Sequence, residues 1–141
     1  MKIVKVTKEN LEYGRQSIEL FFDKKTFNQD FLDLPNNVMY VALDETMVIG
    51  MVYGYEFDRP DGKEKQLFIY SIDVLKDYRK KHVATKLLEH ILKPLETGYY
   101  RDAFVITNHT NDAAMNLYRK AGATQVTPRD DQDILFVWKN K

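Results

Sequence analysis

Residues Leu67–Leu92, LFIYSIDVLKDYRKKHVATKLLEHIL, run from an apolar stretch through a basic turn into an amphipathic segment. Leu67 to Leu75 is rich in β-branched and aromatic side chains and predicts a buried strand. The period then changes. Val83, Leu87, Ile91 and Leu95 recur every four residues, with Leu88 and Leu92 beside them, which describes one apolar face of a helix. Between the two lies Tyr78-Arg79-Lys80-Lys81-His82-Val83-Ala84. A strand-to-helix turn aims unpaired backbone N–H groups and the positive end of the helix dipole at one place, and three cationic side chains add to the attraction for anions. The expectation is a pyrophosphate site; a solvated basic loop is the plain alternative.

The rest of the composition bounds what such a site can serve. A length of 141 residues predicts one domain, residues 1–141, with a core of its own. With 44% hydrophobic and 30% charged residues the composition is that of an ordinary globular protein. Lys+Arg and Asp+Glu are 21 each, so the formal net charge is zero and the broad basic field of a nucleic-acid binder is absent. With no cysteine, thiolate catalysis, disulfides and zinc-thiolate sites are excluded, and no metal is expected. No apolar run approaches a membrane span and MKIVKVTKENLEYG lacks a signal-peptide core, so the expectation is a cytoplasmic protein that needs no membrane.

Outward from the central stretch, Ile3 to Val6 predicts a first strand, and Thr7 with Glu9-Asn10 a helix start running to about Lys25, with Leu11, Ile18, Phe21 and Phe22 on one face. Gln29 to Leu34 predicts a short second helix. Val38 to Leu43 and Met47 to Phe57 predict a hairpin across Asp44-Glu45-Thr46, and Arg59-Pro60-Asp61-Gly62 turns into the Leu67 strand. Pro94 should break the central helix at Lys93. Ala103 to Thr107 follows as a strand parallel to the Leu67 strand, because a helix separates them. Asn111 to Ala121 reads as a helix capped by Thr110 or Asn111 and stopped at Gly122; strands at Thr124 to Thr127 and Ile134 to Trp138 close the chain. The fold class is α+β: a mostly antiparallel mixed sheet of about seven strands flanked by about four helices.

Two spellings carry a resemblance. Arg79-x-x-His82-x-Ala84 after the strand resembles the acetyl-CoA pyrophosphate loop of the GNAT N-acetyltransferases, and Asn111-x-x-Ala114-x-x-Leu117-Tyr118-x-Lys120-x-Gly122 resembles their second signature. Tyr40 to Asp44, Val48-Ile49-Gly50 and Leu67 to Val74 look most like aminoglycoside 3-N-acetyltransferases. That resemblance implies acetyl-CoA as cofactor, held by Ile72, Val74, Arg79, Lys80, Lys81, His82, Val83, Ala84, Thr85, Asn111, Ala114 and Tyr118. It implies Tyr118 as acid toward the coenzyme A thiolate and, as small-molecule acceptor, the primary amine of an aminoglycoside (3-N) or similar polyamine, with no nucleic-acid partner, and it allows a homodimer. Glycine is usual where His82 stands; the expectation is a turn with negative φ at His82. Ser71 stands where the aminoglycoside enzymes carry an aspartate base.

An ammonium cannot attack a thioester, so a base is required, and a carboxylate is the obvious means. Asp73 shares a strand face with Ser71 in a regular strand, and Glu56 on the preceding strand is the second candidate; a backbone N–H near Asp73 or Val74 would hold the oxyanion. Asp30, Asp33, Glu56, Asp130, Asp131 and Asp133 are candidates for binding a polycationic acceptor, with solvated surface acids as the alternative. Three other readings stay open: a peptide or other small-amine acetyltransferase, a non-catalytic acyl-CoA sensor, and a nucleic-acid-directed member, which zero net charge disfavours.

Overall fold

The computed structural model describes residues 1–23, 26–128 and 132–139. Strand β1 (Lys2–Lys5) leads into a Thr7 capping box, in which the Thr7 hydroxyl accepts from the Glu9 N–H and Asn10 Oδ1 accepts from the Thr7 N–H. A single 3-10 turn then opens α1 (Leu11–Phe21). The helix ends at Phe21 rather than near Lys25, because Phe22 is extended and sends the chain back so that Phe27 lies over Gly14. A Cβ at Gly14 would come within 2.6 Å of the Phe27 ring, so glycine permits that packing. The expected helix at Gln29 to Leu34 is a 3-10 turn, Gln29–Asp33: Asn28 caps it and Leu34, ahead of Pro35, is extended.

The remaining elements are β2 (Asn37–Asp44), β3 (Met47–Phe57), β4 (Lys65–Val74), α2 (Val83–Leu92), β5 (Tyr100–Asn108), α3 (Asp112–Lys120), β6 (Thr124–Gln125) and β7 (Asp133–Lys139). Among the described residues there are three α-helices, where about four were expected, with the other helical turns 3-10 in form. Lys93–Leu95 is one of these, placed where Pro94 lacks a backbone donor.

The strands form one seven-stranded sheet in the order β1-β2-β3-β4-β5-β7-β6. All neighbours are antiparallel except β4 and β5, which the α2 crossover makes parallel. On one face Val38, Ile49, Val52, Leu67, Ile69, Val105 and Phe136 pack under α2 and α3. Burying Leu87, Leu88 and Ile91 of α2 there contributes roughly 1.5–3 kcal/mol each. On the other face Met39, Val41, Leu43, Val48 and Met51 pack with Ile18 and Phe21 of α1.

Candidate active site

The loop between β4 and α2 is shaped by two non-glycine residues in the left-handed region, Lys80 at φ 61° and His82 at φ 64°. The expectation of a negative φ at His82 is therefore wrong: the backbone keeps the shape that glycine favours, and His82 takes it up at a cost, histidine being among the side chains that tolerate it best. The first hydrogen bond of α2 runs from the Lys86 N–H to the His82 carbonyl, which leaves the N–H groups of Val83, Ala84 and Thr85 without intrahelical acceptors. No carboxylate lies in that first turn, and the His82 side chain does not cap it. Lys81 lies over the Tyr78 ring, whose hydroxyl donates to Asp44 at 2.7 Å and ties the loop to the β2–β3 hairpin. Arg79 turns back, its Nε donating to the Val74 carbonyl at 3.2 Å. An array of N–H donors at a helix N-terminus among three cationic side chains suits a pyrophosphate, so the residues fit the group that the sequence pattern implies.

Strand β4 is interrupted just upstream. Tyr53 pairs with Ser71 and Gly54 with Ile69, so Tyr70 is an extra residue, a β-bulge. Simple alternation from Leu67 would put Ser71 and Asp73 in the core under α2. The bulge shifts the phase instead: Ile69, Ile72 and Val74 all pack on the α2 side, whereas Ser71 and Asp73 pair with Tyr53 and Met51 on the α1 side. The expected relation between Ser71 and Asp73 holds, because both follow the bulge, and the Ser71 hydroxyl lies 3.3 Å from Asp73 Oδ2.

The same bulge marks where β4 and β5 part. Their parallel ladder runs from Lys65 opposite Tyr100 to Ile69 opposite Val105, yet β4 continues to Val74 and β5 to Asn108. Tyr118 of α3 lies on the α2 side of the sheet, 4% exposed, against Phe136 and Trp138. Burial first, and then the Asp73 carboxylate, push its pKa up to about 12. Burial first, then Tyr55, Tyr70 and Asp73, push Tyr53 on the α1 side up to about 12 as well. The Asp73 carboxylate thus bears electrostatically on a phenol from each face of the sheet.

Other expected site residues lie elsewhere. Glu56 is buried on the α2 side, where it accepts a hydrogen bond from Tyr100 and has Lys65 Nζ at 4.0 Å. It stands five residues along β3 from Met51, the partner of Asp73, or about 16 Å, so it is not brought to Asp73. Asp33 pairs with Lys8, and Asp30 is exposed in the turn capped by Asn28. Asp133 begins β7 opposite Asn108 and is exposed. Asp130 and Asp131 lie outside the described residues. Asn111 Oδ1 accepts from the Ala114 N–H at 3.1 Å, so that pair of the second signature forms the α3 cap.

Sequence reasoning missed a cavity of about 180 Å³ on the α1 side, lined by Ile18, Phe22, Phe27, Asn28, Phe31, Met39, Tyr53 and Tyr55. The rings of Phe31, Tyr53, Tyr55 and Tyr70 form one cluster, with Tyr53 stacked on Tyr70 at 5.5 Å and Phe31 edge-on to Tyr53 at 5.9 Å. The signal was the alternation Tyr53-x-Tyr55 with Phe27-x-x-x-Phe31, legible as aromatic residues but not as one site.

Comparison with known proteins agrees with this geometry. The sequence model described as the acetyltransferase (GNAT) family matches residues 6–123. Human N-acetyltransferase 8 is 26% identical over 116 residues, 82% of this chain and 49% of that protein, so the chain spans about half the length of the curated relatives it matches. Among solved structures, an aminoglycoside acetyltransferase from an uncultured soil metagenomic sample, in complex with sisomicin, superposes with a TM-score of 0.78 at 22% identity, covering 90% of this chain and 92% of that one. Arabidopsis thaliana Naa50 in complex with the bisubstrate analogue CoA-Ac-MVNAL superposes with a TM-score of 0.72 at 16% identity, over 97% of both chains. At these identities the two structures show a shared fold. No helix among the described residues is long and apolar enough to cross a membrane.

Proposed function

We propose, because this chain belongs to the acetyltransferase (GNAT) family, that it is an N-acetyltransferase moving an acetyl group directly onto a primary amine bound on the α1 side of the sheet. Acetyl-CoA supplies the acetyl thioester. The N–H groups of Val83, Ala84 and Thr85, with Arg79, Lys80 and Lys81, would hold its pyrophosphate, and the parted edge of β4 at Ile72 and Val74 would receive the arm that leads to the thioester. The single observation that carries this reading is the opening between β4 and β5, with Asp73 on the amine side and Tyr118 on the other.

In this reading Asp73 takes the proton of the incoming ammonium, oriented by the Ser71 hydroxyl, so that a neutral amine attacks. A backbone N–H near Val74 stabilises the developing oxyanion, an interaction whose removal costs about 10²–10³ in rate. Tyr118, with its pKa pushed to about 12, keeps its proton at neutral pH. A thiol ordinarily titrates near 8.5, so full proton transfer from Tyr118 to the leaving thiolate is uphill. Its contribution is then a hydrogen bond donated to that thiolate, with the proton itself arriving from solvent. No covalent enzyme intermediate is needed, and orientation in a ternary complex supplies much of the rate.

An aminoglycoside modified at its 3-amine, or a similar polyamine, is the second reading of the acceptor. The superposition on the sisomicin complex favours it; the pairing of Asp33 with Lys8 and the largely apolar lining of the α1-side cavity favour a monoamine or a peptide N-terminus. Initial rates with acetyl-CoA and a panel of aminoglycosides, polyamines and peptide amines, at two salt concentrations, decide between them. A polycation bound by carboxylates should show a KM that rises with salt. A complete absence of acetylation across the panel would leave an acyl-CoA-binding role in its place.

A further inference from the structure

The cavity over β2 and β3 takes no part in the transfer described above, and its chemistry is apolar. Phe22, Phe27 and Phe31 close it from the α1–β2 connection, Met39 floors it, Tyr53 and Tyr55 form its third wall, and no carboxylate lines it. From these side chains we infer that the cavity is a subsite for an apolar group attached next to the reacting amine. The acceptor is then a primary amine bearing a side chain of leucine, methionine or phenylalanine size. This inference rests on the reading of Asp73 as the place where the amine binds.

Size, position and charge agree on the occupant. The cavity measures about 180 Å³, and one of about 150 Å³ lined by aliphatic and aromatic side chains is enough to take up benzene. A single side chain of that size fits there. Tyr53 connects the two places: it lines the cavity, pairs with Ser71, and is influenced by the Asp73 carboxylate. Ser71 and Asp73 are two residues apart, about 7 Å along the strand, which is the reach of an amine nitrogen joined through two carbons to a side-chain body. Further ammonium groups entering the cavity would lose their hydration against Phe and Met with no anion to replace it. The acids nearest the approach are engaged or turned outward, Asp33 with Lys8 and Asp30 to solvent.

The test compares leucinamide, phenylalaninamide, glycinamide and spermidine, by acetylation rate with acetyl-CoA and by calorimetric binding to the coenzyme A-loaded protein. The expected result is a kcat/KM for leucinamide and phenylalaninamide at least 10-fold above that for glycinamide, and tighter binding in the same order. Phe31→Ala and the partly exposed Phe22→Ala should each shrink that ratio at least threefold, through the KM of leucinamide and phenylalaninamide. Equal rates and affinities for all four amines, or a preference for spermidine, overturn the subsite while the transferase reading stands. Ordered binding without acetylation of any amine supports the subsite and overturns the transferase reading. Neither binding nor acetylation overturns both.

Discussion

A Cβ on Gly54 would lie 2.3 Å from the carbonyl oxygen of Phe68, so the backbone of β4 approaches β3 at the bulge as closely as only a glycine allows. That contact sits beside Tyr70, the inserted residue that turns Ser71 and Asp73 toward the α1 side. Gly54→Ala should therefore force the two strands apart, at a cost of roughly 1–3 kcal/mol or more in urea unfolding. Turnover of the folded variant should fall as well, because the phase of β4 controls where Asp73 points. A variant with normal turnover at full folding would show that the bulge does not position the site.

Tyr118→Phe keeps the ring between Phe136 and Trp138 and removes only the hydroxyl. It should lower kcat roughly 10- to 10³-fold with folding intact, as loss of an acid–base or hydrogen-bonding group does. The same residue makes a pH prediction. Its folded pKa of about 12 lies above the unfolded value near 10, so the folded state keeps a proton that the unfolded state releases in that window. Stability is fully present below pH 10 and falls as pH rises toward 12, by up to about 1.4 kcal/mol per unit from this group. Denaturant unfolding at pH 9.5 and 11.5 should show the loss, and Tyr118→Phe should reduce it by its own share, Tyr53 and Tyr100 keeping theirs.

At His82 the left-handed backbone is held by a residue that pays about 1–2 kcal/mol for it. His82→Gly should leave acetyl-CoA affinity within a few-fold and stability within about 1 kcal/mol, strain relief being offset by the extra freedom of glycine when unfolded. His82→Val, which is β-branched, should lose at least 10-fold in affinity as the N–H groups of Val83 to Thr85 move. Arg79→Ala and Lys81→Glu should also weaken acetyl-CoA. Unchanged calorimetric affinity in those two variants would remove the pyrophosphate from this loop.

Asp73 is the first candidate for the base and Glu56 the second, and a pair of amides separates them. Asp73→Asn should reduce kcat about 10²–10⁴-fold, whereas Glu56→Gln should leave turnover of the folded enzyme near normal. Tyr100→Phe takes the hydroxyl donor from the buried Glu56 and should cost about 1–3 kcal/mol of stability. A large loss of kcat in Glu56→Gln alone would return the base to that position.

Much of this was legible in particular residues. Val83, Leu87, Leu88 and Ile91 specify the buried face of α2 because a helix repeats its face every three to four residues whatever surrounds it. Pro94, Gly98 and Gly122 mark their breaks for equally local reasons. The basic loop and Tyr118 could be named as a pair because their spelling is a family pattern. The helix expected at Gln29 could not be settled locally, since its apolar residues fit a helix and a 3-10 turn alike, and burial of Phe27 on Gly14 decided where the chain turned.

The sequence by itself determined the order of elements, the parallel crossover between β4 and β5, and the basic character of the turn after β4, all of which follow from period, capping residues and charge along a short stretch of chain. Only the tertiary structure decided which side of the sheet Asp73 faces, that Glu56 is tied to Tyr100, and that Phe27, Phe31, Tyr53 and Tyr55 enclose one cavity. A single inserted residue reverses the face of all that follow it in a strand, and whether it is inserted depends on the neighbouring strand, here on a glycine 16 positions earlier in the chain.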